Sequence, residues 1–331
     1  MDSLFRTNYP NFEVILVDNA STDESVEFVK SNFNYNNLKI ICNKRNLGFA
    51  EGNNVGAKVA RGKYIVFLNN DTEVDPNWLT ELVMVMESDE SVGAAQSKLL
   101  LFDRKTIDSA GDFINFYGFG WMRGHGEVDR GQFSRIKEIF SARGAAMIVR
   151  KDLLKEVGFF DPSFFMICED IDLCWRIRLR GYKVLFVPRS VVYHFSSGSR
   201  RGFYNVIQSY YYNTRNALMM LIKNYNIKNL IFATFIYFIA NLSLFFMSIP
   251  FASRRRYNIE RIKAIFWVIL HLRPILRERM RVQYSIRKVS DEKIKNIIIK
   301  DRSPFLDLSW NLFYKRIMSY DIFINLSLIH I

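Results

Sequence analysis

The first third of the chain alternates two hydrophobic patterns. Short, nearly continuous apolar runs, Glu13–Val17, Leu38–Cys42, Tyr64–Leu68 and Val92–Leu100, read as strands. Between them apolar positions recur at helical spacing: Val26, Phe28 and Val29 behind Ser21 and Glu24, the small-residue run Gly48–Ala60, and Trp78–Met86. Ser21 and Glu24 have the spacing of a capping box that opens the first of these helices. Met1–Tyr9 reads as the end of a further amphipathic helix, closed by Tyr9-Pro10. This alternation predicts an α/β domain with a doubly wound, mostly parallel sheet. Tyr64–Leu68 is then a fully buried strand, and it breaks off at Asn69, Asn70 and Asp71. Such an ending sets oxygen donors on the carboxyl edge of the sheet, where open α/β sheets bind ligands. Asn and Asp also favour simple turns, so this stretch alone leaves both readings open.

Beyond Leu100 the pattern loosens. Residues 101–140 are rich in glycine and have no clean period, which predicts a long loop region at the edge of the sheet. Ala145–Val149 reads as a strand, Lys151–Glu156 as a helix, and Glu169–Arg180 as a helix stopped by Gly181. Val184–Val187 and Val191–His194 read as two short strands. After Gly198 the composition changes. An amphipathic helix leads from Tyr210-Tyr211-Tyr212 and Arg215 towards Lys223. Asn229–Ser253 is 25 residues without a formal charge, long enough for the roughly 20 apolar residues of a hydrocarbon span. Ile259–Val282 is basic and amphipathic, interrupted at Pro274, with the composition of a helix lying in a membrane surface. A buried hydrophobic helix pair in a large soluble protein is the alternative. The expected division is a sheet domain in 1–202, a helical region in 203–302 with hydrophobic segment 229–253 and basic amphipathic segment 259–282, and an unassigned tail in 303–331.

Charge reinforces that division. The 331 residues carry a net charge of +13, which points to an anionic partner: nucleotide, nucleic acid or an acidic membrane surface. Residues 253–302 hold 15 Lys and Arg against 5 Asp and Glu, so the basic character lies beside the apolar stretch rather than on the sheet domain. That placement, without a recognition motif in the sheet domain, argues for no nucleic-acid partner. A chain that is 49% hydrophobic and 24% charged packs a core, which excludes wholesale disorder. Cys42, Cys168 and Cys174 form no CxxC pair and read as reduced thiols; the first residues show no secretory signal pattern. Neither GxxxxGKS/T nor GxGxxG is present, which disfavours P-loop and dinucleotide-binding enzymes.

Five places could carry chemistry. Asp18, at a strand end, could accept hydrogen bonds from a base or a ribose, or simply start a helix. Asp71 is the best-placed carboxylate for Mg²⁺ or Mn²⁺, with Glu73 and Asp75 as alternatives. Glu169, Asp170 and Asp172 open a helix behind Phe164-Phe165-Met166. There they could serve the helix dipole, or one of them could be a general base beside aromatic walls. His194 closes a strand, as a structural residue or as a nitrogen ligand to the same metal. Gly144 and Ala145 leave backbone amides open to a substrate.

Together these residues resemble the GT-A-type family 2 glycosyltransferases, most closely a rhamnosyltransferase-like branch. The resemblance is carried by Tyr9–Asp23, Asn46-Leu47-Gly48-Phe49-Ala50 with Asn53-Asn54, Leu68-Asn69-Asn70-Asp71, Gly144-Ala145-Ala146-Met147, Glu169–Arg176 and His194, spanning about residues 4–222. It implies a metal-assisted, inverting transfer of a sugar from a nucleotide-diphosphate donor to a glycan or polyprenyl-linked acceptor, as in polysaccharide and cell-envelope biosynthesis. Asp71 and His194 would hold Mg²⁺ or Mn²⁺, and Asp170 would be the general base with Glu169 beside it. Asp18 would meet the nucleotide base, Asn46, Gly48, Asn70, Gly144 and Ala145 the nucleotide sugar, and Arg176 would support the phosphates or the helix of Asp170. The resemblance begins inside the first helix, without the strand such enzymes place before it. An inactive, truncated binding protein is therefore the alternative expectation. Because the donor is cytoplasmic while Arg254–Arg256 follow the apolar stretch at once, a re-entrant or in-plane segment broken at Pro250, on the cytoplasmic face of the cell membrane, is expected over a single crossing.

Overall fold

The computed structural model describes residues 1–118, 120–195, 206–250 and 252–298; the expected tail 303–331 lies outside them. The chain runs α1 (Asp2–Phe5), β1 (Val14–Asp18), α2 (Ser25–Asn32), β2 (Leu38–Cys42), α3 (Gly48–Val59), β3 (Tyr64–Leu68), β4 (Thr72–Val74), α4 (Trp78–Ser88) and β5 (Val92–Leu101). Four short strands follow, β6 (Ile107–Ser109), β7 (Asp112–Ile114), β8 (Gly120–Met122) and β9 (Lys137–Glu138), then β10 (Ala146–Arg150), α5 (Lys151–Val157), α6 (Glu169–Leu179) and β11 (Lys183–His194). The helical region is α7 (Val206–Asn224), α8 (Ile227–Ser248), α9 (Ala252–Leu270), α10 (Leu272–Met280) and α11 (Asp291–Lys295).

The fold is mixed α/β, but the sheet is not mostly parallel. The main sheet has the order β3-β10-β5-β11-β4, with β6 on β5 and β9 on β11, and only β5 and β11 run parallel in it. The antiparallel β10 between β3 and β5 breaks the expected pattern, because an apolar run shows burial but not strand direction. β1 and β2 pair in parallel as a separate two-stranded sheet, backed by α3. β3 is not buried throughout: Ile65 and Phe67 face the larger core, while Tyr64, Val66 and Leu68 are half-buried against a second one built on Trp78, Leu79, Leu82 and Met86 of α4. The main sheet is thus covered on both faces.

Three local expectations need correction. The capping box does not form: α2 starts at Ser25 without a side-chain cap, and the Ser21 amide donates to Asp18 instead. The two short strands at 184–194 are one strand, with a register shift against β5 between Val187 and Val191. Pro188 lies in that gap and cannot donate to the ladder. Residues 101–140 are not a plain loop, since they contain β6 to β9.

The helical region shares the larger core with the sheet domain through Ala217, Met220 and Leu221 of α7 and Ile275, Val282 and Ile286 beyond it. α9 ends at Leu270, whose carbonyl is the one a proline ring at position 274 would crowd, and α10 resumes after His271. No helix among the described residues is long and apolar enough to cross a membrane.

Candidate active site

The turn after β3 is closed by the Thr72 hydroxyl, which donates to the Asn69 carbonyl at 2.6 Å. β4 then pairs antiparallel with the end of β11, opposing Thr72 to His194, and the Phe195 amide donates to the Asp71 carbonyl. Distant segments thereby meet: Asp71 Oδ1 and Asn69 Nδ2 each lie 3.2 Å from His194 Nε2. The other ring nitrogen, Nδ1, lies 2.8 Å from Oδ2 of Asp108, a fully buried residue on β6. Burial pulls the His194 pKa down, but the hydrogen bonds to Asp108 and Asp71 outweigh it and raise it to about 9. Burial works against the Asp108 carboxylate as well, yet Arg143, His125 and His194 hold it far below the ordinary carboxylate value.

Arg143 and Gly144 connect this cluster to the acidic helix start. The Arg143 guanidinium lies 3.3 Å from Asp108 Oδ2 through Nη1 and 3.2 Å from Asp112 Oδ2 through Nε. The next amide, of Gly144, donates to Asp170 Oδ2 at 3.1 Å, and the Asn69 amide donates to the Ala145 carbonyl. A Cβ at Gly144 would sit 2.8 Å from the Phe49 ring, so only glycine permits this approach.

Asp170 and Glu169 stand in the first turn of α6 but in different surroundings. Burial and the neighbouring Asp112 raise Asp170, while the Gly144 and Ile171 amides and Arg143 pull the other way. Glu169 is raised much further by burial and by Asp170, and its Oε2 is buried with no hydrogen-bond partner. The two carboxyls thus differ: Asp170 is held by two backbone amides, whereas Glu169 Oε2 has no partner. The chain enters α6 through Phe165, Ile167 and Cys168, all with φ between 62° and 70°. Each non-glycine residue there costs roughly 1–2 kcal/mol. Two side chains of α7 hold the loop in place: Arg215 donates to the Ser163 and Phe164 carbonyls, and Asn216 to those of Phe164, Met166 and Ile167.

The remaining sequence candidates divide. Asn46 and Gly48 build a turn: Asn46 Oδ1 accepts the Gly48 amide, and the Gly48 carbonyl accepts from Asn19. Gly48 has φ +76° and abuts Phe165, so it packs against the loop that enters α6. Asp18 and Asn19 belong to this second group, while Asn70 is exposed beside Asp71. Of the two expectations for Arg176, support of its helix rather than of the phosphates matches its surroundings. Arg176 is fully buried, paired with Asp172 at 2.9 Å and donating to the carbonyls of Val157, Gly158 and Phe159. Sequence reasoning missed Asp108, Arg143 and Asn216. Asp108 lies inside the stretch without period and Arg143 just after it; Asn216, a polar residue at an apolar helical position, was the readable signal.

Residues 1–158 match the family model described as "Glycosyl transferase family 2". The O-antigen biosynthesis protein RfbC of Myxococcus xanthus is 33% identical over 209 residues, 61% of this chain and 16% of that protein. Poly-beta-1,6-N-acetyl-D-glucosamine synthase of Staphylococcus epidermidis is 25% identical over 191 residues, 58% of this chain and 44% of that protein. The chain thus spans less than half the length of these relatives. A crystal structure of GalNAc-T7 with UDP, GalNAc and Mn²⁺ superposes with a TM-score of 0.53 at 15% identity, over 80% of this chain and 52% of that one, a likeness of fold. Residues 1–158, just under half of the chain, are thus similar to glycosyl transferase family 2, and the mixed α/β fold resembles that of GT-A glycosyltransferases.

Proposed function

We propose that the chain transfers a sugar from a nucleoside-diphosphate donor to a hydroxyl of a glycan or lipid-linked glycan acceptor, with inversion. The carrying observation is the single connected cluster that sets Asp71 and His194 at one end and Asp170 at the other, joined by Arg143-Gly144. The donors fit a divalent cation. Their separation of 3.2 Å is close to the distance of about 3 Å between adjacent ligands of an octahedral Mg²⁺ or Mn²⁺. Among the described residues no group of three or more His, Cys, Asp or Glu is placed to hold a metal, so Asp71 and His194 would share the ion with the diphosphate and water. Such an ion would neutralise the charge developing on the leaving diphosphate.

Asp170 removes the proton of the acceptor hydroxyl as its oxygen bonds to the anomeric carbon and the carbon–oxygen bond to the diphosphate breaks. The Gly144 amide keeps Oδ2 oriented for this step. Asp18, at the end of β1, would receive the nucleoside. The test is a hydrolysis and transfer screen of UDP-, GDP- and dTDP-sugars with Mg²⁺ or Mn²⁺. Turnover of none of them, with binding retained, would favour the non-catalytic alternative. Asp71→Ala is expected to weaken Mn²⁺-dependent nucleotide binding about tenfold, read by calorimetry with and without the metal. Equal affinity in both proteins would remove Asp71 from the metal site.

The same reading places the chain on the cytoplasmic face of a membrane, where a lipid-linked acceptor would be met. Its support is a stripe along α8, Ile227, Ile231, Phe235, Phe238, Leu242 and Phe246, between 37% and 64% exposed. Exposed Arg255, Arg256, Arg273 and Arg277 on the following helices suit an acidic lipid surface. The protein is expected to stay with membranes through high-salt and carbonate washes, and Ile231→Asp with Phe235→Asp to release it. Quantitative release of the unaltered protein would refute the assignment.

A further inference from the structure

We propose that Asp108 is a positioning residue for the metal edge, fixing the ring of His194 so that Nε2 presents its lone pair beside Asp71. The proposal rests on the reading of Asp71 and His194 as the metal-holding pair, and adds to it a residue outside the turn and strand that carry them.

The argument starts from donors and acceptors. Asp108 is fully buried, and the Arg143 guanidinium lies 3.3 Å from its Oδ2. A carboxylate beside a guanidinium in such a place is ionised and can only accept. His194 Nδ1, 2.8 Å from that oxygen, must therefore carry a proton. With Nδ1–H committed to Asp108, Nε2 is the nitrogen left to give up its proton to a cation and offer its lone pair. It faces Asp71 Oδ1 at 3.2 Å, the side on which a cation would sit. Carboxylate partners of this kind fix ring orientation and tautomer in metal-binding histidines generally, and their loss weakens metal binding about 10–100-fold.

Asp108 is itself held from the far side. His125 Nδ1 lies 2.8 Å from its backbone carbonyl and 3.4 Å from Oδ1. Arg143 continues to Asp112, and its neighbour Gly144 binds Asp170. The carboxylate that orients His194 is thus in the chain of contacts that also seats the proposed base.

The test uses the full chain and Mn²⁺ alone, then Mn²⁺ with UDP, GDP or dTDP, followed by electron paramagnetic resonance of free Mn²⁺. Asp108→Asn replaces the acceptor with a group that can donate, which favours the other tautomer. Its Mn²⁺ affinity is expected to fall about 10–100-fold, with an unchanged far-UV circular dichroism spectrum. His194→Ala should lose at least as much. An Asp108→Asn affinity within about twofold of the unaltered protein, with His194→Ala impaired, would overturn the positioning role and leave the metal reading standing. Absence of Mn²⁺ binding by the unaltered protein under every nucleotide condition would refute both. Should Asp108→Asn not fold, nuclear magnetic resonance of the unaltered, Mg²⁺-loaded protein decides. The His194 Nδ1–H proton persists if Asp108 holds it; its loss on Mg²⁺ binding refutes the proposal.

Discussion

Asp170→Asn is expected to abolish sugar transfer while leaving donor binding within about twofold of the unaltered protein. General bases typically contribute about 10²–10⁴-fold in rate. The asparagine keeps the size of Asp170 and can still accept the Gly144 amide through its carbonyl oxygen, so the fold and the donor site should survive. What it cannot do is take a proton. Turnover of the unaltered protein should also depend on pH in one direction. Burial raises Asp170 above its ordinary value of 3.8, and the base works only when ionised, so rate should be lost as pH falls through that raised value. Steady-state kinetics beside calorimetric nucleotide binding separates the two effects. Near-normal turnover of the Asn variant would move the base elsewhere.

The second large effect is on stability. Lys223→Met is expected to destabilise the protein by about 3–5 kcal/mol, the usual result of breaking a buried ion pair from one side. Lys223 is 1% exposed, and its Nζ lies 2.6 Å from Asp161 Oδ2 and 3.1 Å from Asp172 Oδ2. Arg176 would still pair with Asp172, but Asp161 would lose its cation. Both carboxylates are held below the ordinary value of 3.8 against the pull of burial, chiefly by Lys223. Depressed carboxylates stabilise the fold above their unfolded pKa and lose that contribution as pH falls. The variant should therefore be less stable near neutrality and show a flatter acid limb in chemical denaturation. A change below about 1 kcal/mol would mean that water replaces the lysine.

The strands that end in Asp18 and His194, and the one that leads into the turn of Asp71, were legible because each apolar run breaks off in polar residues. The helix of Asp170 was legible from its acidic start and Gly181 stop, and the residue after it does turn left-handed, with φ +105° at Gly181. Strand direction was not legible, since β10 has the same composition whether it runs up or down. Nor was the carboxylate behind His194. Asp108 lies on a three-residue strand, too short for any periodicity to register. Arg176 was open between supporting its helix and supporting phosphates, and only its complete burial decides for the helix. The apolar stretch 229–253 was readable as apolar but not as one- or two-sided. α8 buries Ala233, Tyr237 and Ala240 and leaves its other face open.

The left-handed entrance to α6 has a consequence for how parts of such a protein can be exchanged. The family match ends at residue 158, before Asp170, and the loop that leads to Asp170 is clamped by Arg215 and Asn216 of α7. A chimaera that keeps the matched segment and takes its helices from a relative would import a different clamp. If the new helix lacked an amide at the position of Asn216, the three left-handed residues would relax and carry Asp170 away from Gly144. Grafting the helical region to change acceptor or attachment therefore requires moving residues 163–170 and 206–224 together, as one heritable unit.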